Sequence, residues 1–134
     1  MIVNITYRNN KDVKLEDVIR VFRNSGITRP TDQPKRIQDM IRYSDILLTA
    51  WLGDRMIGIA RALTDWSFCC YLSDLAVDKD VQKSGIGREL IARVREEIGE
   101  GVSLILLAAP SAMEYYPKVG FEKIENGFVI KRKK

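Results

Sequence analysis

Residues 81–90 read VQKSGIGREL, in which two glycines one position apart precede a segment with helical periodicity. Glycine costs about 0.5–1 kcal/mol relative to alanine in regular structure, so the pair indicates a sharp turn or a close approach of backbone to another group. The first amides of a helix lack intrahelical acceptors and lie at the positive end of its dipole, which suits an anion. The segment therefore predicts a phosphate-binding turn, with charge added by Lys83 and Arg88. A purely structural turn is the alternative.

Two established phosphate motifs do not fit this segment. A dinucleotide fingerprint would place a third glycine at position 90, where the sequence has leucine, and a P-loop needs a Gly-Lys-Ser/Thr that the sequence lacks. The sequence contains no histidine, which excludes Ser-His-Asp and Cys-His nucleophiles and histidine-based metal clusters. Cys69 and Cys70 are adjacent in a predicted strand, so we expect them to point to opposite faces and to be reduced and structural. No metal is expected.

The elements that must position the glycine turn are predicted from periodicity. β-Branched and alternating segments predict strands, and apolar residues at helical spacing predict helices. The predicted strands are 2–7, 45–52, 55–63, 68–77 and 103–108, with a closing hairpin of 121–124 and 128–132 turned at Asn126-Gly127. The predicted helices lie around 15–23, 37–41, 85–98 and 111–118.

Residues 68–108 combine a strand, a helix and an apolar strand. This is a βαβ unit, whose strands are parallel and whose crossover is right-handed. The apolar run at 103–108 is typical of a strand covered on both faces. We therefore predict an α+β fold in one domain, residues 1–134, with a mixed, mostly antiparallel sheet flanked by helices.

The net charge of +4 comes from one end of the chain. Residues 131–134 read KRKK and hold four of the 22 basic residues, and the remaining basic residues equal the 18 acidic ones. A balanced body argues against a nucleic-acid partner, although contact of the tail with an acidic partner such as RNA is an alternative. The sequence has no apolar run of membrane-spanning length and no signal-peptide pattern, so we expect no membrane partner and a cytoplasmic location.

Two motifs resemble those of one protein family. Residues 82–87, QKSGIG, resemble the Q/R-x-x-G-x-G/A signature of the GCN5-related N-acetyltransferase (GNAT) family, and follow a DLAV strand end at 74–77, as in that family. Residues 112–121, AMEYYPKVGF, resemble its late motif. In that motif an aromatic pair with tyrosine second is separated from Gly-Phe by three residues. The succession of elements extends the resemblance over nearly the whole chain. It implies the acyl-CoA N-acyltransferase fold, with a splayed pair of parallel strands.

The resemblance also implies the reaction and the cosubstrate. An acetyl group would pass from acetyl-CoA to a primary amine of a small molecule or peptide by direct attack. The pantetheine arm would pair with main-chain groups between the splayed strands, and amides of the glycine turn would hold the pyrophosphate. The loop at 25–34 and the helix after it would form part of the acceptor pocket. The residues assigned to cofactor binding are Leu75, Ala76, Val77, Gln82, Lys83, Ser84, Gly85, Ile86, Gly87, Arg88 and Ser111.

Two side chains are assigned to catalysis. Tyr116 matches the family's tyrosine that protonates the departing thiolate, and a phenol with a pKa near 10 suits that step. A packing tyrosine is the alternative. Without histidine, the amine's proton is assigned to Asp74, directly or through water, with Asp65 and Glu114 as alternatives.

The chain departs from the family pattern after the apolar strand. Many members have an asparagine there, whereas this sequence has Ala-Ala-Pro-Ser at 108–111, and Ser111 is predicted to cap the next helix. The missing asparagine and the choice among several candidate bases leave a non-catalytic acyl-CoA sensor as an alternative function. Trp51 and Trp66 are candidates for the acceptor pocket, with at least one expected in the core. Pairing through sheet edges makes a homodimer plausible.

Overall fold

A five-stranded sheet, in the order β1-β2-β3-β4-β5, forms the centre of the fold. The computed structural model describes residues 4–134. The strands are β1 (Ile5–Asn9), β2 (Ile46–Leu52), β3 (Arg55–Thr64), β4 (Cys69–Val77) and β5 (Ser103–Ile105). β1 to β4 pair antiparallel, and β4 and β5 pair parallel, which confirms the predicted mixed, mostly antiparallel sheet.

Four helices flank the sheet where the sequence places them. They are α1 (Leu15–Ser25), α2 (Pro34–Arg42), α3 (Ile86–Ile98) and α4 (Tyr115–Lys118). α1 ends at Gly26 and α3 at Gly99, whose φ angles of 88° and 78° are open to glycine at little cost. Within residues 4–134, the structure contains no helix that is both long and apolar enough to cross a bilayer.

Both faces of the sheet are covered. The apolar stripe of α3, including Ile86, Leu90 and Val94, packs on one face, and α1 and α2 pack on the other. α3 approaches β3 closely at Gly58, where a Cβ atom would lie 3.2 Å from Ile86 Cγ2. This close packing fixes the start of α3 against the sheet.

β4 and β5 part soon after they meet. Their register covers only Cys69–Ser103, Cys70–Leu104 and Tyr71–Ile105, whereas β4 continues to Val77. Beyond Tyr71, the β5-side edge of β4 has no strand partner within the described residues. The predicted splay of the parallel pair is therefore present.

Two predictions about the last quarter of the chain are wrong. The apolar run at 103–108 is a three-residue strand covered on one face only, with Ile105 42% and Leu107 67% exposed. The closing hairpin is absent, because residues 121–134 form no strand and Phe128 and Ile130 are almost fully exposed. β-Propensity reflects packing on neighbouring strands, and residues 121–134 pair with no strand of the sheet.

The turn between β3 and β4 is held by one carboxylate. Asp65 Oδ1 accepts hydrogen bonds from the amides of Ser67, Phe68 and Cys69 at 2.9, 2.8 and 3.1 Å. These backbone donors stabilise the ionised form and lower the pKa of Asp65 to about 2. The turn delivers Cys69, which is exposed, and Cys70, which is buried, to opposite faces of β4, and both are free thiols as predicted.

We expect Asp65→Ala to lower the free energy of unfolding most at neutral pH. A depressed folded-state pKa contributes stability above the unfolded value near 4 and loses it as pH falls towards 2. The deficit of the variant, measured by urea unfolding, should therefore shrink between pH 5 and pH 2. Glu122→Ala, which removes an exposed carboxylate, is the control. A deficit that does not vary with pH would contradict this interpretation.

Candidate functional site

A cleft of about 1620 Å³ opens where β4 and β5 part. Its walls come from the end of β4, the glycine turn and start of α3, the segment after β5, α4, and the loop between α1 and α2. Most residues assigned to the site from sequence line this one cleft: Leu75, Ala76, Val77, Gln82, Lys83, Gly85, Ile86, Gly87, Arg88, Ser111 and Tyr116. Ser84 and Asp74 do not line it.

The glycine turn presents backbone amides rather than side chains. Lys83 and Gly85 have positive φ angles of 70° and 86°, and α3 begins at Ile86. Among the described residues, no backbone acceptor pairs with the amides from 83 to 88. Successive unpaired amides at a helix start are suited to an anion, and the phosphate-binding role of this turn stays a prediction.

Several side chains of this turn serve the scaffold. The Gln82 side chain donates to the carbonyls of Val77 and Ser25 at 3.0 and 3.4 Å, which ties the end of β4 to the end of α1. The Ser84 hydroxyl donates to the Val81 carbonyl, and Ile86 is buried in the core. These three residues can therefore contribute only backbone groups to the binding of an anion.

Tyr115 lies over the start of α3, although the sequence gives it no distinct role. A Cβ atom on Gly87 would lie 2.7 Å from the Tyr115 hydroxyl oxygen, so only glycine leaves room for this contact. Burial raises the pKa of Tyr115, and the charge of Arg88 opposes that rise. The hydroxyl thus lies beside Gly87 and within the field of Arg88.

The open edge of β4 exposes main-chain groups of alternate residues. The Asp78 amide donates to the Ile57 carbonyl at 2.9 Å, on the β3 side. Because the C=O and N–H of one peptide group point in opposite directions, the Val77 carbonyl points away from β3, and the main-chain groups of Leu75 follow with period two. The Val77 carbonyl accepts from the Gln82 side chain, so the Val77 amide and the main chain of Leu75 are the groups left for an extended ligand.

Tyr116 lies in the short helix α4 at the wall of the cleft. Its ring packs edge-to-face on Phe121 and Tyr115, with centroids 5.4 and 5.2 Å apart. Burial raises the pKa of Tyr116, Tyr115 adds to the rise, and the charge of Arg29 opposes it. The phenol is therefore fully protonated at neutral pH.

Asp74 is enclosed by two arginines. Its side chain is fully buried, with one oxygen accepting from Arg29 Nε and the other from Arg61 Nε. Arg29 Nη2 also donates to the Ser73 carbonyl at 2.7 Å, and Arg61 Nη2 to the Ser73 hydroxyl at 2.9 Å. Ser73 is the extra residue of a β-bulge in β4. The arrangement gives Asp74 a positioning role, and its assignment as proton acceptor stays a prediction.

The two alternative proton acceptors, Asp65 and Glu114, also lie away from the cleft. Asp65 is engaged by the amides of its own turn, and Glu114 is exposed; neither lines the cleft. Among residues 4–134, no group of three or more Cys, Asp or Glu side chains is arranged to hold a metal ion.

Two further sequence assignments change, those of Ser111 and Trp66, and one about Trp51 is confirmed. Ser111 does not cap a helix: it lies inside the 3-10 turn Pro110–Ala112, and α4 starts four residues later. Trp51 is in the core, donating to Thr49 Oγ1 at 2.7 Å, as expected for at least one tryptophan. Trp66 is half-exposed in the β3–β4 turn, and neither ring lines the cleft.

Sequence reasoning missed the arginines of the cleft. The sequence analysis places the loop 25–34 and the helix after it on the acceptor side but gives no role to their arginine side chains. The presence of Arg29 in that loop is the feature of the sequence that could have indicated a cationic acceptor side. The missed residues are Arg29, Arg36, Arg61 and Arg132, together with Tyr115.

Comparisons with known proteins agree with this geometry. A family model described as an acetyltransferase (GNAT) domain matches residues 13–131. An uncharacterized N-acetyltransferase, ycf52, of Pyropia yezoensis is 24% identical, covering 92% of this chain and 74% of that protein. A GNAT acetyltransferase structure from Streptococcus pneumoniae has a TM-score of 0.78 at 24% identity, covering 98% of this chain and 100% of that chain. An aminoglycoside N-acetyltransferase in complex with CoA has a TM-score of 0.75 at 16% identity, covering 97% and 95%.

We expect Asp74→Asn to reduce the free energy of unfolding by roughly 3–5 kcal/mol, because it leaves two largely buried guanidinium groups without a counter-charge. Urea unfolding at pH 7 measures the change. Asp39→Asn is the control, since its ion pair with Lys35 is exposed and should be worth less than about 1 kcal/mol. Equal losses in the two variants would contradict the assigned role of Asp74.

Proposed function

Because this chain belongs to the GNAT family of acetyltransferases, we propose that it transfers an acetyl group from acetyl-CoA to a primary amine by direct attack. The acceptor is an amine of a small molecule or peptide. One observation carries the proposal: the open edge of β4, the unpaired amides at 83–88 and Tyr116 all face a single cleft.

The cleft fits acetyl-CoA in two places. Leu75 and Val77 offer main-chain donors and acceptors to the amides of a pantetheine arm, as a strand edge does to an added strand. The amides of the glycine turn, with Lys83 and Arg88 beside them, suit a pyrophosphate. Gly85 supports this fit, since a Cβ atom there would meet no protein atom within 4 Å and the space remains for a ligand.

One of the proton transfers in this reaction is assigned to a side chain of the protein, and the others are assigned to solvent. Bound acetyl-CoA supplies an activated thioester carbon, which the neutral amine nitrogen attacks; a C–N bond forms and the C–S bond breaks. The Tyr116 phenol gives its proton to the departing sulfur and regains one from solvent. The amine's own proton leaves to water in the open cleft, since the described residues place no free carboxylate on its walls.

We expect Gly87→Ala and Gly85→Ala each to weaken CoA binding by about tenfold or more. Alanine at 85 must adopt a φ of 86°, which costs about 1–2 kcal/mol, and a methyl at 87 collides with Tyr115 where the ligand would approach. Isothermal calorimetry measures the affinity. Gly101→Ala, at a glycine with open space and no positive φ, is the control. Absence of CoA binding by the unaltered protein at high micromolar concentration would refute the proposed function.

We expect Tyr116→Phe to lower the acetylation rate by roughly 100-fold or more while acetyl-CoA affinity is retained, because only the proton donor is lost. Release of free thiol gives the rate. Because the pKa of Tyr116 is raised, loss of rate through ionisation of this group should begin at a higher pH than for an ordinary tyrosine.

Tyr43→Phe, which alters an exposed tyrosine outside the cleft, is the matched control. An unchanged rate in Tyr116→Phe would make the phenol a packing residue. Binding of acetyl-CoA without turnover of any amine by the unaltered protein would instead favour the sensor function, which the missing asparagine after β5 also favours.

A further inference from the structure

The charges on the cleft walls have one sign. Arginine and lysine side chains occur along its whole length, and no aspartate or glutamate lines it within the part of the chain that the structure describes. Lys83 and Arg88 lie at the end beside the glycine turn, and the Lys79 side chain lies against Gly26. The other cationic residues surround the opposite end: Arg29, Arg36, Arg61 and Arg132.

The cationic residues beside the glycine turn have an assigned task, whereas those at the opposite end do not. A pyrophosphate accounts for the charge near Lys83 and Arg88. It does not account for Arg29 and Arg36, which come from the α1–α2 loop and from α2. These are the elements assigned from sequence to the acceptor side.

The buried cluster behind this second end carries excess positive charge. Arg29 and Arg61 share one carboxylate, that of Asp74, and neither forms another ion pair among residues 4–134. Two guanidinium charges against one carboxylate leave one positive charge uncompensated. Arg61 is 7% exposed, while the Arg29 side chain is 29% exposed, so the excess reaches the cleft through Arg29.

Arg29 is held in place and keeps donors for a ligand. Three of its nitrogens donate to protein oxygens: Nε to Asp74, Nη2 to Ser73 and Nη1 to Thr28 at 2.6 Å. A guanidinium has five N–H donors, so two remain. Arg36 lies half-buried nearby on the lining, with Nη2 donating to the Lys134 carbonyl at 3.0 Å.

We propose that the amine acceptor carries a carboxylate group, and that this group binds at the Arg29–Arg36 end of the cleft. The inference rests on the proposed acetyl transfer and names the substrate class of that site. Charge-assisted hydrogen bonds from guanidinium to carboxylate are short and about twice as strong as neutral ones. A carboxylate also supplies the counter-charge that the Asp74 cluster lacks.

The same field assists loss of the amine's proton. A nearby positive charge disfavours the protonated form of an amine and lowers its pKa. Against the rise that burial causes, the charge of Arg29 lowers the pKa of Tyr116, and both residues line this cleft. A carboxylate bound at Arg29 neutralises part of this field, so a carboxylated amine gains through binding rather than through its pKa. Polycationic amines gain nothing here and are repelled.

The test compares matched pairs of amines in a free-thiol assay with acetyl-CoA. The pairs are glycine with glycinamide and 4-aminobutyrate with 4-aminobutyramide. Phosphoethanolamine with ethanolamine tests phosphate in place of carboxylate, and an aminoglycoside tests a polycation. We expect kcat/KM to be at least tenfold higher for the carboxylated member of a pair. Equal or higher values for the amides, the phosphate or the aminoglycoside would overturn the proposal.

Variants assign the preference to residues. Arg29→Gln should reduce the carboxylate preference at least tenfold, through KM of the amine, with KM for acetyl-CoA unchanged. Arg29→Lys should retain part of the preference, because lysine keeps the positive charge but lacks the paired N–H donors of the planar guanidinium. If Arg29→Gln fails to fold, the carboxylate preference is measured in Arg36→Gln instead, at a half-buried position of the same lining. Arg42→Gln removes an equal charge outside this cleft and should leave the preference intact.

Failure of the inference is distinguishable from failure of the proposed function. If acetyl-CoA does not bind, acetyl transfer itself is refuted. If it binds but no amine is acetylated, calorimetry of the CoA complex with the same pairs decides the matter. Binding of the carboxylated amines alone supports the site, and absence of that binding overturns it.

Discussion

The parting of β4 from β5 is the constraint on which the rest of the structure depends. A strand edge without a partner exposes donors and acceptors that must meet water or a ligand. β4 tolerates this because its other edge keeps an antiparallel ladder with β3 up to Val77. The parting also places the start of α3 at the same opening, so unpaired strand groups and unpaired helix amides face one space. Neither feature alone would specify a ligand as long as acetyl-CoA.

A buried charge cluster extends this arrangement towards the acceptor side. The bulge at Ser73 turns a carbonyl to Arg29 and a hydroxyl to Arg61, and Asp74 joins the two arginines below the cleft floor. The cluster connects the α1–α2 loop with β3 and β4. Its hydrogen bonds hold the guanidinium of Arg29 in place, and its two positive charges exceed its one negative charge.

Tyr116 combines an apolar setting with a cationic neighbour. Its contacts with Phe121 and Tyr115 hold the ring, and burial keeps the phenol protonated. The final segment, 121–134, contributes differently from the sequence prediction. It forms no hairpin, yet it brings Arg132 to the cleft and the Lys134 carbonyl to Arg36.

The sequence by itself determined the elements whose signals are local. Periodicity placed α1, α2 and α3, and the spacing of Gly85 and Gly87 placed the turn, because a positive φ and a helix start depend on neighbouring residues. Only the tertiary structure decided which side chains are free to act. The engagement of Asp74 by two arginines, the contact of Tyr115 with Gly87 and the unpaired state of 121–134 all depend on residues distant in sequence. Sequence patterns do not predict these contacts, because they form between residues that are far apart in the chain and close only in the folded structure.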